Sequence, residues 1–278
     1  MEGLLEKKFA EIGARVRIRI APPPDEKSVW DKVPTSDAPR LNVFRDGKGE
    51  YFDIAFPFGV APAALQVLDV QPRERHLLLM VKRMDARGLV NKSKFLCGYD
   101  ERHWFVAAVP EKAQGVNTVK TAKEALQPGE VRERLDRAGV RPKNRLKRKN
   151  EAFVRQGEWF FVPVPDLRVD EKRVLPNEPL SRGLGSKPHI MEFSYRVGGT
   201  TVYVSPGHPG GITQEAYNRL SIEELKAGWR VMQRDATVYA KGRITHDDHA
   251  TIYLPCWHRV YMNTESEAEA MRHVEFLD

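Results

Sequence analysis

Residues 14–21 read Ala-Arg-Val-Arg-Ile-Arg-Ile-Ala, and this alternation sets the reading of what surrounds it. Successive side chains of an extended chain point to opposite faces, so Arg15, Arg17 and Arg19 share one side and Val16, Ile18 and Ile20 the other. The stretch is predicted to be a strand with an arginine face. Pro22-Pro23-Pro24 ends it, and the polar chain to Arg40 reads as a surface connection. Short apolar or alternating runs follow at residues 51–56, 64–70, 76–82 and 103–109, separated by turn signals such as Asp46-Gly47, Pro57 and Pro72. Strands that follow strands predict antiparallel pairing rather than a doubly wound sheet.

Helical signals begin near Thr118. Residues 121–126 are strong helix formers up to Pro128-Gly129, and across residues 130–138 Val131, Leu135 and Ala138 recur at helical spacing before Gly139. Residues 155–163 read as a turn entering an aromatic strand. Beyond them Pro165, Pro176, Pro179 and Pro188 interrupt a polar stretch. Gly198-Gly199 between residues 190–197 and 200–204 is a hairpin signal. Ser221 with Glu224 forms a capping box that opens a helix whose apolar face is Ile222, Leu225, Trp229 and Met232. Three strands are expected at 237–244, 251–254 and 258–262. A last helix, opened by Thr264 with Glu267, carries Met271, Val274 and Leu277. The expected fold is α+β in two domains. A mostly antiparallel β domain spans 1–165 with a helical, basic segment at 118–155, a linker covers 166–188, and a smaller α+β domain covers 189–278.

Charge gives the first indication of function. Residues 128–155 hold ten Lys and Arg against four Asp and Glu, whereas the whole chain holds 45 against 38. Nearly all of the excess sits in one segment. Such a cluster releases counterions when it meets phosphates, so nucleic acid, RNA or DNA, is the expected partner. Arg132, Arg134, Arg137, Arg141, Lys143, Arg145, Lys147, Arg148, Lys149 and Arg155 are the expected phosphate contacts, with Trp159 as a stacking surface beside them. The arginines of the first strand extend this patch if they lie alongside it. A basic loop docking onto an acidic protein or a larger ribonucleoprotein complex fits the same composition.

A second constellation, His246-Asp247-Asp248-His249 followed by His258, lies between predicted strands. Imidazoles and carboxylates that converge at a strand turn can bind a divalent metal or act as acid and base in phosphodiester cleavage. The alternative is therefore a metal-assisted nuclease or hydrolase with His246, Asp248, His249 and His258 in its site. Asp-Asp is also ordinary turn chemistry, so the residues alone leave both readings open. Asp100-Glu101-Arg102-His103 and the pair His189 and Glu192 read as polar clusters beside strands, candidates for ion-pair networks. No cofactor is called for beyond that divalent metal.

Two cysteines, Cys97 and Cys256, provide neither a disulfide framework nor a four-cysteine zinc site. The charged start of the chain is unlike a signal peptide, and no apolar run has the length of a membrane span. A cytoplasmic protein without membrane contact is expected.

Overall fold

The computed structural model describes residues 2–20, 40–56, 65–84, 88, 90–182 and 187–268. The chain opens with helix α1 (Glu2–Glu11), whose Leu5 and Phe9 turn inward together with Ile12 just beyond it. Strand β1 (Val16–Ile20) runs parallel to β3 (Gly49–Phe56), which pairs antiparallel with β2 (Arg40–Asp46). The arginine face of β1 does not join the basic segment. Arg15 and Arg19 are ion-paired with Asp46 and Asp53, and Arg17 lies over the Tyr51 ring. The triple-proline stretch between β1 and β2 lies outside the described residues.

A second, antiparallel sheet follows in simple order: β4 (Leu65–Gln71), β5 (His76–Met84), β6 (Val90–Asp100) and β7 (His103–Val109). Its two faces serve two cores, as period-two alternation requires. Leu77, Leu79, Phe95, Cys97 and Trp104 pack against α1 and the three-stranded sheet through Phe9, Phe52 and Phe56. Leu78, Leu96, Ala107 and Val109 instead meet Val119, Ala122 and Leu126 from helix α2 (Val119–Ala125) and its C-terminal end. Thr118 caps α2, and Thr121 returns the bond to the Thr118 backbone.

Helix α3 (Gly129–Arg137) buries Val131 and Leu135 against Phe153 and Phe160, and its C-terminus is followed by Gly139 at φ 60°. The basic run then passes through a single 3₁₀ turn at Pro142–Asn144 into a tight hairpin, β8 (Val154–Gln156) and β9 (Trp159–Pro163). β10 (Leu175–Leu180) lies inside the stretch expected to be a linker, paired with β11 (His189–Val197).

After β11 the chain leaves its sheet. β12 (Thr200–Ser205), β13 (His208–Ile212), the four-residue helices α4 (Gln214–Tyr217) and α5 (Ile222–Leu225), and β14 (Arg230–Arg234) form a small excursion with sheet order β13-β12-β14. Gly198-Gly199 is thus a junction between two sheets, not the turn of a β11–β12 hairpin, because those strands do not pair. The Ser221–Glu224 capping box is present, but its helix ends at Leu225. Trp229 follows Gly228 at φ 68°, and Met232 lies in β14, 52% exposed, so no continuous apolar helical face forms.

The chain returns through β15 (Thr237–Thr245) and β16 (Ile252–Met262), the latter a single strand where two were expected. Together they complete a six-stranded sheet of order β10-β11-β15-β16-β9-β8. β9 on one side of the expected linker pairs with β16 on the other, so one sheet spans that boundary. A 3₁₀ turn at Thr264–Glu267 follows. Met271, Val274 and Leu277 lie outside the described residues.

The α+β expectation is corrected. Among the described residues the fold is mostly β, 49% strand and 20% helix with four sheets, because the helix expected from Ser221 shrinks to a single turn followed by β14, and the expected last helix lies largely outside the described residues. Among the described residues no helix is long and apolar enough to cross a membrane.

Candidate metal centre in a basic cleft

A cavity of about 920 Å³ lies where the N-terminal sheets, the basic run and the six-stranded sheet meet. The strand ends flanking the β6–β7 turn, the β8–β9 hairpin and the β15–β16 turn each contribute to its lining. Its size is at the upper end of the range for small-molecule sites.

Three imidazoles gather beside this cavity, His246 and His249 in its lining and His189 buried behind them. Ile190 pairs with Thr245 across antiparallel β11 and β15, which places His189 opposite His246 at the end of the ladder, and the short β15–β16 turn brings back His249. The rings of His189 and His246 stack with centroids 4.2 Å apart, those of His189 and His249 lie 5.6 Å apart, and those of His246 and His249 lie 4.7 Å apart. One nitrogen from each falls within 4.8 Å of the others.

His189 is 1% exposed, yet neither of its ring nitrogens has a hydrogen-bond partner, and His249 Nδ1 is likewise buried and unpartnered. A buried polar atom left in that state costs about 1–3 kcal/mol. Burial, followed by the neighbouring His246 and His249, pushes the His189 pKa down to about 3. Burial and then His246 push His249 down to about 4. Both rings are therefore neutral near pH 7, with lone pairs available as metal ligands.

Gly157 shapes the space these nitrogens face. It occupies the β8–β9 turn at φ 57°, and a Cβ there would stand 2.9 Å from His249 Nε2 and 3.2 Å from His189 Nε2. Zinc bound tetrahedrally at about 2.0–2.1 Å from each ligand needs nitrogens about 3.3–3.4 Å apart, so the cluster must tighten slightly. His246 is the ring with the most to rearrange. Its Nδ1 accepts from the Asp248 backbone N–H at 3.0 Å, and its Nε2 lies 3.3 Å from the Lys187 carbonyl, a long contact to exchange for a metal bond.

Acid–base groups stand beside the cluster. Asp248 lies 3.0 Å from His103 Nε2 and 3.0 Å from the Lys187 ammonium, while His103 Nδ1 reaches Glu50 at 2.5 Å. Burial alone would raise the Asp248 carboxyl, but the Lys187 hydrogen bond and then the charge of His103 hold it below the usual carboxylate range. Asp248 is thus an anion held between two cationic or hydrogen-bonding neighbours.

The expected phosphate contacts separate into groups. Lys143, Lys147, Arg148 and Arg155 line the cavity. Arg148 is ion-paired with both Asp100 and Glu101, and Arg155 approaches Asp100 at 3.6 Å. Burial and the adjacent Arg155 push the Arg148 pKa down to about 10. Lys143 and Lys147 are exposed and form no ion pair among the described residues. Arg145 is paired with Asp136 and Arg137 with Glu133. Arg132, Arg134, Arg141 and Lys149 lie outside the cavity lining. Trp159 is 7% exposed, packed in the core with its ring 6.5 Å from His189, so it backs the histidine cluster instead of offering an open stacking face.

Of the four expected catalytic residues, His246, Asp248 and His249 come together at the cavity. His258 does not. It is buried in β16, paired opposite Ala240 and Pro163, and its Nδ1 donates to the Cys256 carbonyl at 2.8 Å. The place expected for His258 is taken by His189, whose only local signal is a histidine heading an apolar strand. Glu192, its suggested partner, bonds Arg243 instead. Three residues apart on a strand, His189 and Glu192 face opposite sides. Glu101, His103 and Gly157 reach the site through turns that only the tertiary fold brings near residue 246.

No protein-family model, curated protein or solved structure matches the chain, so function is argued from the site.

Proposed function

We propose that this protein is a metal-dependent phosphodiesterase acting on nucleic acid. The observation that carries the reading is the convergence of His189, His246 and His249, two of them neutral with unpartnered buried nitrogens, on the gap left by Gly157 at the edge of a cleft lined by Lys and Arg.

In this reading the three histidines hold a divalent ion such as zinc, which supplies Lewis acidity and a water of lowered pKa when bound. Lys143 and Lys147, unencumbered by carboxylates, attract and position backbone phosphates. Asp248 takes the proton of the attacking water, and His103, steadied by Glu50, stabilises Asp248 and shares that proton. Arg148 exchanges a carboxylate oxygen for a phosphate oxygen as charge builds on phosphorus, a like-for-like replacement for a guanidinium fork. Attack by water would form one P–O bond and departure of the sugar oxygen would break another, the proton shared by Asp248 and His103 passing to that leaving oxygen.

The test combines metal content with cleavage. Protein stripped by chelation and reloaded with zinc or manganese is assayed on labelled single-stranded and duplex DNA and RNA, beside a His246→Ala/His249→Ala double variant. About one metal per chain and cleavage abolished in the variant is the expected result. Wild-type protein that retains no metal and cleaves none of the four substrates overturns the reading. Salt-dependent binding without cleavage would leave a nucleic-acid-binding protein and remove the hydrolase.

A further inference from the structure

We infer that Glu101 is the positioning residue of the metal centre, the carboxylate that orients His249 through its second ring nitrogen. The inference rests on the metal reading and extends it to a group that makes no contact with metal or substrate.

His249 faces two ways. Its Nε2 is directed at the Gly157 gap, and its Nδ1 lies buried with no hydrogen bond. A histidine bound to metal through Nε2 carries its hydrogen on Nδ1 and needs an acceptor there, commonly a carboxylate. Glu101 Oε2 stands 3.7 Å from that Nδ1, within a small shift of hydrogen-bond range. The shift is of the same order as the tightening the three ligands require around an ion, so one movement of the ring serves both.

Glu101 is also built in from other directions. The same Oε2 accepts the Ala250 backbone N–H at 2.5 Å, which ties the carboxylate to the turn that carries His246 and His249. Its other oxygen is ion-paired with Arg148 from the basic run. The residue occupies the two-residue β6–β7 turn at φ 55°, a conformation that costs a non-glycine side chain energy and is kept where the side chain is needed. Glu101 therefore connects the cationic wall to a metal ligand. A phosphate that draws Arg148 away would leave a less neutralised carboxylate facing His249.

Zinc affinity is measured by competition with a chromophoric chelator, and the cobalt-substituted protein reports ligand geometry by visible absorption. The comparison uses wild type, Glu101→Gln and Arg148→Gln, with thermal unfolding of each metal-free protein. Glu101→Gln keeps an acceptor for Ala250 but removes the charge, and is expected to weaken zinc binding roughly 10- to 100-fold and shift the cobalt band. Arg148→Gln leaves Glu101 in place and is expected to tighten zinc binding. Wild-type zinc affinity in Glu101→Gln overturns the inference while leaving the three-histidine site standing. Should Glu101→Gln lower metal-free stability, Arg148→Gln decides, and zinc affinity unchanged or weaker in that variant overturns the inference. Wild type that binds neither zinc nor cobalt removes the metal reading, and this inference with it.

Discussion

His189 separates a structural histidine from a functional one. A ring kept only for packing would be expected to satisfy its nitrogens, yet both of these are buried without partners. Replacing it with a ring of similar size and no nitrogens should relieve that cost while removing a ligand. His189→Phe is expected to bind metal at least 100-fold more weakly and, without metal, to be as stable as wild type or more stable by about 1–3 kcal/mol. Chelator competition and urea unfolding test the two halves, and a variant that is destabilised without metal would mark His189 as a packing residue. Little of this was legible in the sequence. His246, Asp248 and His249 stand within four positions and could be read as one unit, whereas His189 joins them through strand pairing and Glu101 through a contact between residues 149 apart.

The legible elements are those whose chemistry is local. The alternation of Val16, Ile18 and Ile20 gives β1, Thr118 starts α2, Gly139 stops α3, and Ser221 with Glu224 caps α5. β2 was not legible because its sequence, Arg-Leu-Asn-Val-Phe-Arg-Asp, buries Asn42, and the first half of β6 is the polar run Asn91-Lys92-Ser93-Lys94. Both are strands because their neighbours demand pairing, and a single sequence does not record its neighbours. The basic run behaves in the same way: its charge was evident, but the carboxylates that meet it come from α3 and the β6–β7 turn. Lys143→Gln/Lys147→Gln is expected to weaken oligonucleotide binding and flatten the dependence of log affinity on log salt by about 0.7 for each single-strand phosphate that is no longer neutralised. Arg137→Gln, which gives up only an exposed pair with Glu133, should leave that slope unchanged. Fluorescence polarisation across a salt series measures both, and equal slopes in the two variants would place the phosphate-binding cations elsewhere.

Across the whole molecule, the six-stranded sheet takes strands from both sides of the expected linker. A fragment beginning at residue 189 lacks β8, β9 and β10, leaving both flanks of the sheet uncovered and the apolar side chains that meet Trp159 and Phe161 exposed. It is expected to lack a cooperative thermal transition by circular dichroism. A sharp transition in that fragment would show that the C-terminal half folds independently. Acid should act on the molecule through its buried imidazoles. Burial pushes His76 down to about 4, His189 to about 3 and His249 to about 4, whereas an unfolded histidine titrates near 6.5. Above pH 6.5 these rings are neutral in both states and contribute no pH dependence. Between about pH 6.5 and 4 the unfolded chain takes up protons that the folded chain refuses, so stability should fall steadily as the pH is lowered. Urea unfolding at pH 7, 5.5 and 4.5 measures this, and a flat profile would contradict the burial of those rings.

The pairing of β9 with β16 also sets an order of events during synthesis. Gly157 is made before its two facing histidines, residues 189 and 249, and the strand that secures the last turn ends at Met262. A nascent chain therefore carries its cationic segment about a hundred residues ahead of the strand that completes the sheet behind it.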